Sequence, residues 1–287
     1  MQYLYNVNLK DYTTFHVGGG VADSFYIPES VNELLDLLLE LKKEHLYILS
    51  GGSNLLINDQ KRYAHIIYMK SVDCSFENYG NGLFYIGASV RIQKVIKEVN
   101  EAGFGGFEEL IGLPALFGGV VYMNAGIGGK EHPKFNISDF VLRVKVIDKS
   151  DWKIKWIDKA DCDFDYRKSV FQLDGFIILG AEVQLDEQMP EISKEIIRKR
   201  QAVIKDSQEF LKGTFGSIFA ESNRNVRNLV ALTHKKKGGV CFGTKNTNWF
   251  LNDGNASFED AIYLIHKCES MHKLFRQPIS REVIVWE

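Results

Sequence analysis

The stretch Leu-Ser-Gly-Gly-Ser-Asn-Leu-Leu at residues 49–56 decides how this chain is read. A short apolar run, residues 46–49, leads straight into it and predicts a strand. Gly51 and Gly52 reach backbone angles closed to other residues, so the chain can turn tightly with its amides exposed. Consecutive exposed N–H groups make a concave anion site, and Ser53 and Asn54 add side-chain donors. That chemistry suits a diphosphate. The same residues also suit an ordinary strand-to-loop connection, and the local sequence leaves both open. A second glycine-rich segment, Gly-Leu-Pro-Ala-Leu-Phe-Gly-Gly at 112–119, is followed by Tyr-Met-Asn-Ala-Gly at 122–126. Two such segments in one chain suggest a large cofactor lying across two lobes. Neither has the G-x-G-x-x-G spacing or the P-loop spacing, which disfavours a standard Rossmann protein or an NTPase.

With 287 residues the chain can bury a substantial core in two or three lobes. A formal net charge of −2 gives no reason to expect nucleic acid or an anionic membrane as partner. Apolar residues make up 45%, ordinary for a soluble globular protein. No apolar run approaches the roughly 20 residues that span a bilayer. The first residues, Met-Gln-Tyr-Leu-Tyr-Asn, lack the basic and apolar regions of a signal peptide, so the expected address is the cytoplasm. Cys74, Cys162, Cys241 and Cys268 are widely spaced and form no ligand motif with each other or with histidine. Reduced, mostly buried thiols and no structural metal are expected. His16, in Phe-His-Val-Gly, is either a cofactor contact or a structural loop residue.

Three lobes are expected, residues 1–70, 71–188 and 189–287. Ser30 and Glu33 have capping-box spacing and open a helix carrying Leu34, Leu35, Leu38 and Leu41. Strands over 46–49 and 65–69 complete an α/β first lobe. The second lobe is richer in strands, at 83–88, 140–147, 153–157 and 176–185, with a helix over 92–102 that stops at Gly103. The third opens with a charged helix, 191–206, whose interleaved acids and bases read as a solvated face. A later helix spans 258–273, and a strand over 282–286 ends the chain.

Three side chains are candidates for chemistry. Arg167 sits in Phe-Asp-Tyr-Arg-Lys-Ser-Val-Phe at 164–171. A permanent cation there can stabilise a developing carboxylate or enolate, or simply close a surface turn with ion pairs. Ser217, in Gly-Thr-Phe-Gly-Ser-Ile-Phe at 213–219, follows glycine that leaves room for a ligand. It can donate a proton, or be structural; there is no G-x-S-x-G elbow and so no hydrolase nucleophile. Glu282 begins an apolar strand, where burial would raise its pKa and permit acid catalysis. The alternative is a salt bridge, for which Arg281 is a poor partner because strand neighbours point to opposite faces.

Taken together and in order, these segments resemble the UDP-N-acetylenolpyruvoylglucosamine reductase family of flavoenzymes. The resemblance begins with Thr-Thr-Phe-His-Val-Gly-Gly (13–19) and Ala22-Asp23. It continues through Ser-Gly-Gly-Ser-Asn-Leu-Leu (50–56), Phe-Glu-Glu-Leu-Ile-Gly-Leu-Pro (107–114), Gly118-Gly119 and Met-Asn-Ala-Gly (123–126). Tyr-Arg-Lys-Ser-Val-Phe (166–171), Gly-Ser-Ile-Phe (216–219), Asn248, Asn-Asp-Gly-Asn-Ala (252–256) and Arg-Glu-Val (281–283) complete it. The resemblance implies an α+β protein. Its two FAD-binding lobes would be of vanillyl-alcohol oxidase/p-cresol methylhydroxylase type, followed by a C-terminal α+β substrate domain. It implies bound FAD, NADPH as co-substrate and a UDP-sugar enolpyruvyl ether as acceptor, in peptidoglycan precursor synthesis. No nucleic acid, membrane or obligatory protein partner is implied. FAD contacts would come from Ser50, Gly51, Gly52, Ser53, Asn54, Leu55, Gly112, Pro114, Gly118, Gly119, Asn124, Ala125 and Gly126. Ser217 would be the proton donor, with Arg167 and Glu282 stabilising the enolate-like charge. Tyr166, Lys205 and Asn248 would contact substrate.

The chain departs from the family pattern in places. Ala220-Glu221 stands where the family has Lys-Asn after Gly-Ser-x-Phe, and Asn246-Thr247 where it has His-Ala. The changes gather in the third lobe, which also lacks the extra tyrosine-bearing loop of longer members. A divergent FAD oxidoreductase with another substrate is the alternative.

Overall fold

The computed structural model describes all residues except 19, 129–132, 208 and 210–212. The chain divides into two compact units. The first comprises Met1–Tyr3, Phe25–Gly51 and His65–Ile204, and the second Leu4–Ser24, Gly52–Ala64 and Lys205–Glu287. The glycine pair of the opening motif is thus divided, Gly51 belonging to the first unit and Gly52 to the second.

The first unit is organised by a five-stranded antiparallel sheet built from Phe76–Gly80, Leu83–Gly87, Val141–Asp148, Lys153–Asp158 and Phe176–Gln184. The strand Phe176–Gln184 feeds two cores. Ala181 and Val183 pack in one and Ile177 and Leu179 in another. Strict alternation would put all four on one face. The register of this strand against Val141–Asp148 shifts between Lys145 and Val146, whose partners are Gly180 and Ile178. That bulge inserts Leu179 and reverses the phase of the alternation. Ile178 consequently joins Ala181 and Val183.

Helix Ile92–Glu101 buries Ile92, Val95, Ile96 and Val99, one face at helical spacing, and Gly103 follows it at φ +86°. Helix Val31–Glu40 starts as its sequence foretells, with the Ser30 hydroxyl accepting from the Glu33 amide at 3.2 Å. The reciprocal half of the capping box differs. The Glu33 carboxylate instead accepts from the Glu29 amide and the N-terminal ammonium, both at 2.8 Å. Strand Leu46–Leu49 runs parallel to Arg62–Tyr68, with Leu46 opposite His65.

The second unit has a core of Phe15, Phe215, Phe219, Phe250, Leu264 and their neighbours. Strand Ile284–Trp286 pairs in parallel with Leu55–Ile57, the segment that leaves the opening motif. Of the C-terminal strand expected over 282–286, only Ile284–Trp286 is strand, and a separate strand, Ile279–Arg281, precedes it. Between them, the Glu282 and Val283 amides both donate to the Ile218 carbonyl, which interrupts the regular ladder. Helix Phe258–Leu274 carries a full capping box from Ser257 and Asp260.

Cys162 and Cys268 are each fully buried, one in the core of each unit. Burial pushes both thiols up to about 12, so they are protonated and inert at neutral pH. Among the described residues no group of metal-ligating side chains is assembled and no helix is long and apolar enough to cross a membrane.

Candidate active site

In the first unit the structure brings the two glycine-rich segments together. A Cβ on Gly51 would lie 3.3 Å from the Pro114 carbonyl, and one on Gly119 would lie 3.3 Å from the Ser50 hydroxyl. The segments differ in what their amides do. Gly118 and Gly119 lie in the first turn of helix Phe117–Tyr122: Gly118 donates out of the helix to the Ala88 carbonyl at 2.9 Å, and Gly119 back to the carbonyl of the N-cap residue Leu116 at 3.0 Å. None of the backbone N–H groups of Gly51, Gly52 and Ser53 has a partner among the described residues. The first segment therefore keeps the donors an anion needs, and the second supplies close packing.

Arg167 sits at φ +56° in a tight turn closed by the Asp165–Lys168 bridge. The left-handed backbone turns its side chain back onto the Asn124–Gly126 segment. Nη2 donates to the Gly126 carbonyl at 2.7 Å and Nη1 to that of Asn124 at 3.3 Å. The guanidinium also lies over the Tyr166 ring, 4.8 Å from its centre. Asn124, 2% exposed and itself at φ +41°, donates from its side chain to the Asp165 carbonyl at 2.8 Å and accepts from the Ser138 amide. Arg167, Tyr166, Asn124, Ala125 and Gly126 thus form one hydrogen-bonded assembly, not a free surface turn. Gly112 stands against the Ile204 side chain.

In the second unit a different set converges. The Asn54 side chain donates to the Glu282 carbonyl at 2.9 Å, across 228 residues of sequence. The Asn54 carbonyl accepts from the Ile284 amide at 3.1 Å, and the Glu282 amide donates to Ile218 at 2.9 Å. Ser217 is the neighbour of that Ile218 and forms a bridge with Trp249. Asn54, Ser217 and Glu282 are therefore held by one backbone network. Gly52, at φ +61°, leaves no room for a Cβ beneath the Tyr12 carbonyl, so only glycine fits there. Arg281 engages Glu269 through both its Nε and Nη2, at 2.6 and 3.0 Å.

Asn248 clamps the backbone beside Ser217. Its side-chain amide donates to the Phe219 carbonyl at 2.8 Å, and its side-chain oxygen accepts from the Phe219 amide at 3.1 Å. Lys205 is exposed, and its carbonyl accepts from the Lys245 ammonium at 2.9 Å. Thr14 is the residue that sequence reasoning missed. Its hydroxyl donates to the Thr214 carbonyl at 2.7 Å and its amide to the Gly52 carbonyl at 3.1 Å, tying the 13–19 motif to both segments that flank the site. The signal was its place in that motif. Gly19 of the same motif lies outside the described residues.

The fold is an α+β fold seen before in an oxidoreductase. The crystal structure of UDP-N-acetylenolpyruvylglucosamine reductase from Thermus caldophilus superposes with a TM-score of 0.77 over 100% of this chain and 98% of that one, at 24% identity. In sequence, the UDP-N-acetylenolpyruvoylglucosamine reductase of Petrotoga mobilis is 30% identical over 275 residues, 91% of this chain and 86% of that protein. The Prochlorococcus marinus enzyme of the same name is 29% identical over 90% of this chain and 88% of that protein, and the Fusobacterium nucleatum one 26% over 99% of both. No family model matches. By these relatives the chain belongs to the UDP-N-acetylenolpyruvoylglucosamine reductase family.

Proposed function

We propose that the chain is a cytoplasmic FAD-dependent oxidoreductase. With NADPH it would reduce the enolpyruvyl ether of UDP-N-acetylglucosamine to UDP-N-acetylmuramate, a step of peptidoglycan precursor synthesis. The observation that carries this reading is the network of Asn54, Ile218 and Glu282, which joins segments 228 residues apart around Ser217 in a chain of this family. The residues present fit the cofactor. The amides of Gly51, Gly52 and Ser53, without partners among the described residues, suit a pyrophosphate, and a Cβ at Gly51 or Gly119 would fill the approach to the loop. Ser50–Leu55, with Gly112, Pro114, Gly118, Gly119 and Asn124–Gly126, would hold FAD, Gly118 and Gly119 by shaping the backbone behind it. FAD, when bound, supplies two-electron transfer that no side chain offers.

The chain's own residues handle charge and protons. The Arg167 fork, anchored by the Asn124 and Gly126 carbonyls, would face the substrate carboxylate as a fixed cation. Preorganisation matters here, because a cation already in place needs no rearrangement as charge develops. Glu282 would support the same enolate-like charge. Ser217 would deliver its hydroxyl proton to the substrate carbon beside that carboxylate. Tyr166 and Lys205 would contact substrate, and Asn248 would hold the backbone that aims Ser217.

Anaerobic half-reactions test these roles. Arg167→Ala, Ser217→Ala and Glu282→Gln should retain yellow, NADPH-reducible flavin. Each should reoxidise with the enolpyruvyl sugar roughly 10²–10⁴-fold more slowly. Wild-type rates in all three would remove the proposed roles. Ala220-Glu221, in place of Lys-Asn, favours the second reading, a related flavoenzyme with another acceptor. That reading predicts retained flavin reduction without reoxidation by the UDP-sugar.

A further inference from the structure

The segment 107–115 carries Gly112 and Pro114, and beyond a short 3₁₀ turn over Glu108–Leu110 it lies in no helix or strand. Its backbone carbonyls therefore need partners that no regular ladder supplies. Three find them inside the segment, where Phe107, Glu108 and Leu110 accept from the Leu110, Ile111 and Leu113 amides. Three more find them in side chains that come from two helices of the same unit. Gln93, on helix Ile92–Glu101, donates from Nε2 to the Ile111 carbonyl at 3.3 Å and to that of Leu113. Arg200, on helix Pro190–Ser207, donates from Nε to the Glu109 carbonyl at 3.0 Å, with the Glu109 carboxylate 3.7 Å from the same nitrogen. The Ile92 amide completes the hold at the Ala115 carbonyl, 3.1 Å away.

Helix Pro190–Ser207 is thus more than the solvated helix its charges suggest. Ser193, Ile197, Arg200 and Ile204 recur at the spacing of one helix face. Ile197 packs on the core of the first unit, and the Ile204 side chain occupies the place where a Cβ on Gly112 would stand. Ser193 reaches the start of the segment through Glu108, which is 2% exposed. One oxygen of that carboxylate accepts from the Ser193 hydroxyl at 2.9 Å and from the Asn100 and Gln188 side chains, both at 2.7 Å. The other accepts from the Gly106 amide at 2.8 Å. All four partners are neutral donors, the set a carboxylate can accept, and they tie the ends of both helices to the segment. The frame that holds Gly112 and Pro114 is therefore polar, largely shielded and built from side chains of fixed reach.

We propose that Gln93 and Arg200 are positioning residues for the flavin, holding Gly112 and Pro114 in place from the side away from Gly51. This inference rests on the reading of the segment as part of the FAD site. Groups that contact a ligand need their backbone fixed to within about 0.5 Å, and a segment that relaxes in the free protein must be ordered again on binding. Neither side chain belongs to the motif segments that identify the family, and each acts on backbone carbonyls alone or with the adjoining carboxylate.

The test is dilution of the flavin-loaded protein, reading released FAD by its fluorescence, with melting temperature measured on the same samples. Gln93→Met and Arg200→Met keep the length of the side chain and remove the donors. Each should weaken FAD binding roughly tenfold. Arg200→Lys retains a donor for the Glu109 carbonyl and should recover most of that loss. Val99→Ala trims the buried face of helix Ile92–Glu101 and leaves the polar hold intact, so it should lower the melting temperature without weakening FAD binding. Unchanged FAD affinity in both methionine variants, or an equal loss in Val99→Ala, overturns the proposal. Wild-type protein that takes up no FAD overturns the flavoenzyme reading and this inference with it, whereas unchanged variants of a yellow wild type overturn the inference alone.

Discussion

The two glycine-rich segments have similar composition and opposite uses. At 51–53 the amides have no partner among the described residues, whereas at 118–119, in the first turn of a helix, they bond to the Ala88 and Leu116 carbonyls. Gly52 is glycine because of its angle, and Gly118 because of its neighbour, the Ala88 Cβ that an added Cβ would approach to 2.7 Å. Glycine thus serves a left-handed turn with unbonded amides in one place and close packing in the other, and local sequence does not distinguish the two.

The difference can be broken most severely at Gly52. Gly52→Ala must hold φ near +61° and push against the Tyr12 carbonyl. We expect a loss of roughly 2–4 kcal/mol and release of flavin, measured by denaturant melts and absorbance. Gly118→Ala should destabilise by about 1–3 kcal/mol through overpacking against Ala88, with flavin affinity of the folded protein unchanged. If Gly118→Ala releases flavin without destabilising, the contrast is wrong. Gly51→Ala meets only a 3.3 Å contact without a positive φ, and its stability should move by less than about 1 kcal/mol. The smallest effect concerns thiols. At pH 8 a thiol reagent should label exposed Cys74 and leave Cys162 and Cys268, whose burial holds them protonated, untouched until denaturant is added. Labelling of both buried thiols in the native protein would contradict the two cores.

Much of the fold was legible where local signals and packing agree. Helix Ile92–Glu101 has four apolar residues on one face and a glycine stop. Helix Phe117–Tyr122 was not legible, because two glycines argue against a helix that is held by burial of Phe117, Val120 and Val121. Helix Arg224–Thr233 hid behind a polar sequence, although the Asn223 cap and the buried Val226 and Val230 at i, i+4 were present to be read. The bulge at Leu179 depends on pairing with a strand some thirty residues away and leaves no local trace.

Site residues followed the same division. Arg167, Ser217 and Glu282 could be selected by residue type and motif order. Their anchoring could not, because the partners of Arg167 are the carbonyls of Asn124 and Gly126 and the partner of Asn54 is the Glu282 carbonyl. Backbone acceptors carry no sequence identity.

The most direct measurement is an anaerobic stopped-flow trace of the flavin absorbance of the wild-type protein. It is reduced first with NADPH and then mixed with the enolpyruvyl ether of UDP-N-acetylglucosamine. Rapid, complete return of the oxidised band is expected. Flavin that stays reduced in the presence of that ether would contradict the assignment of the UDP-sugar as its acceptor.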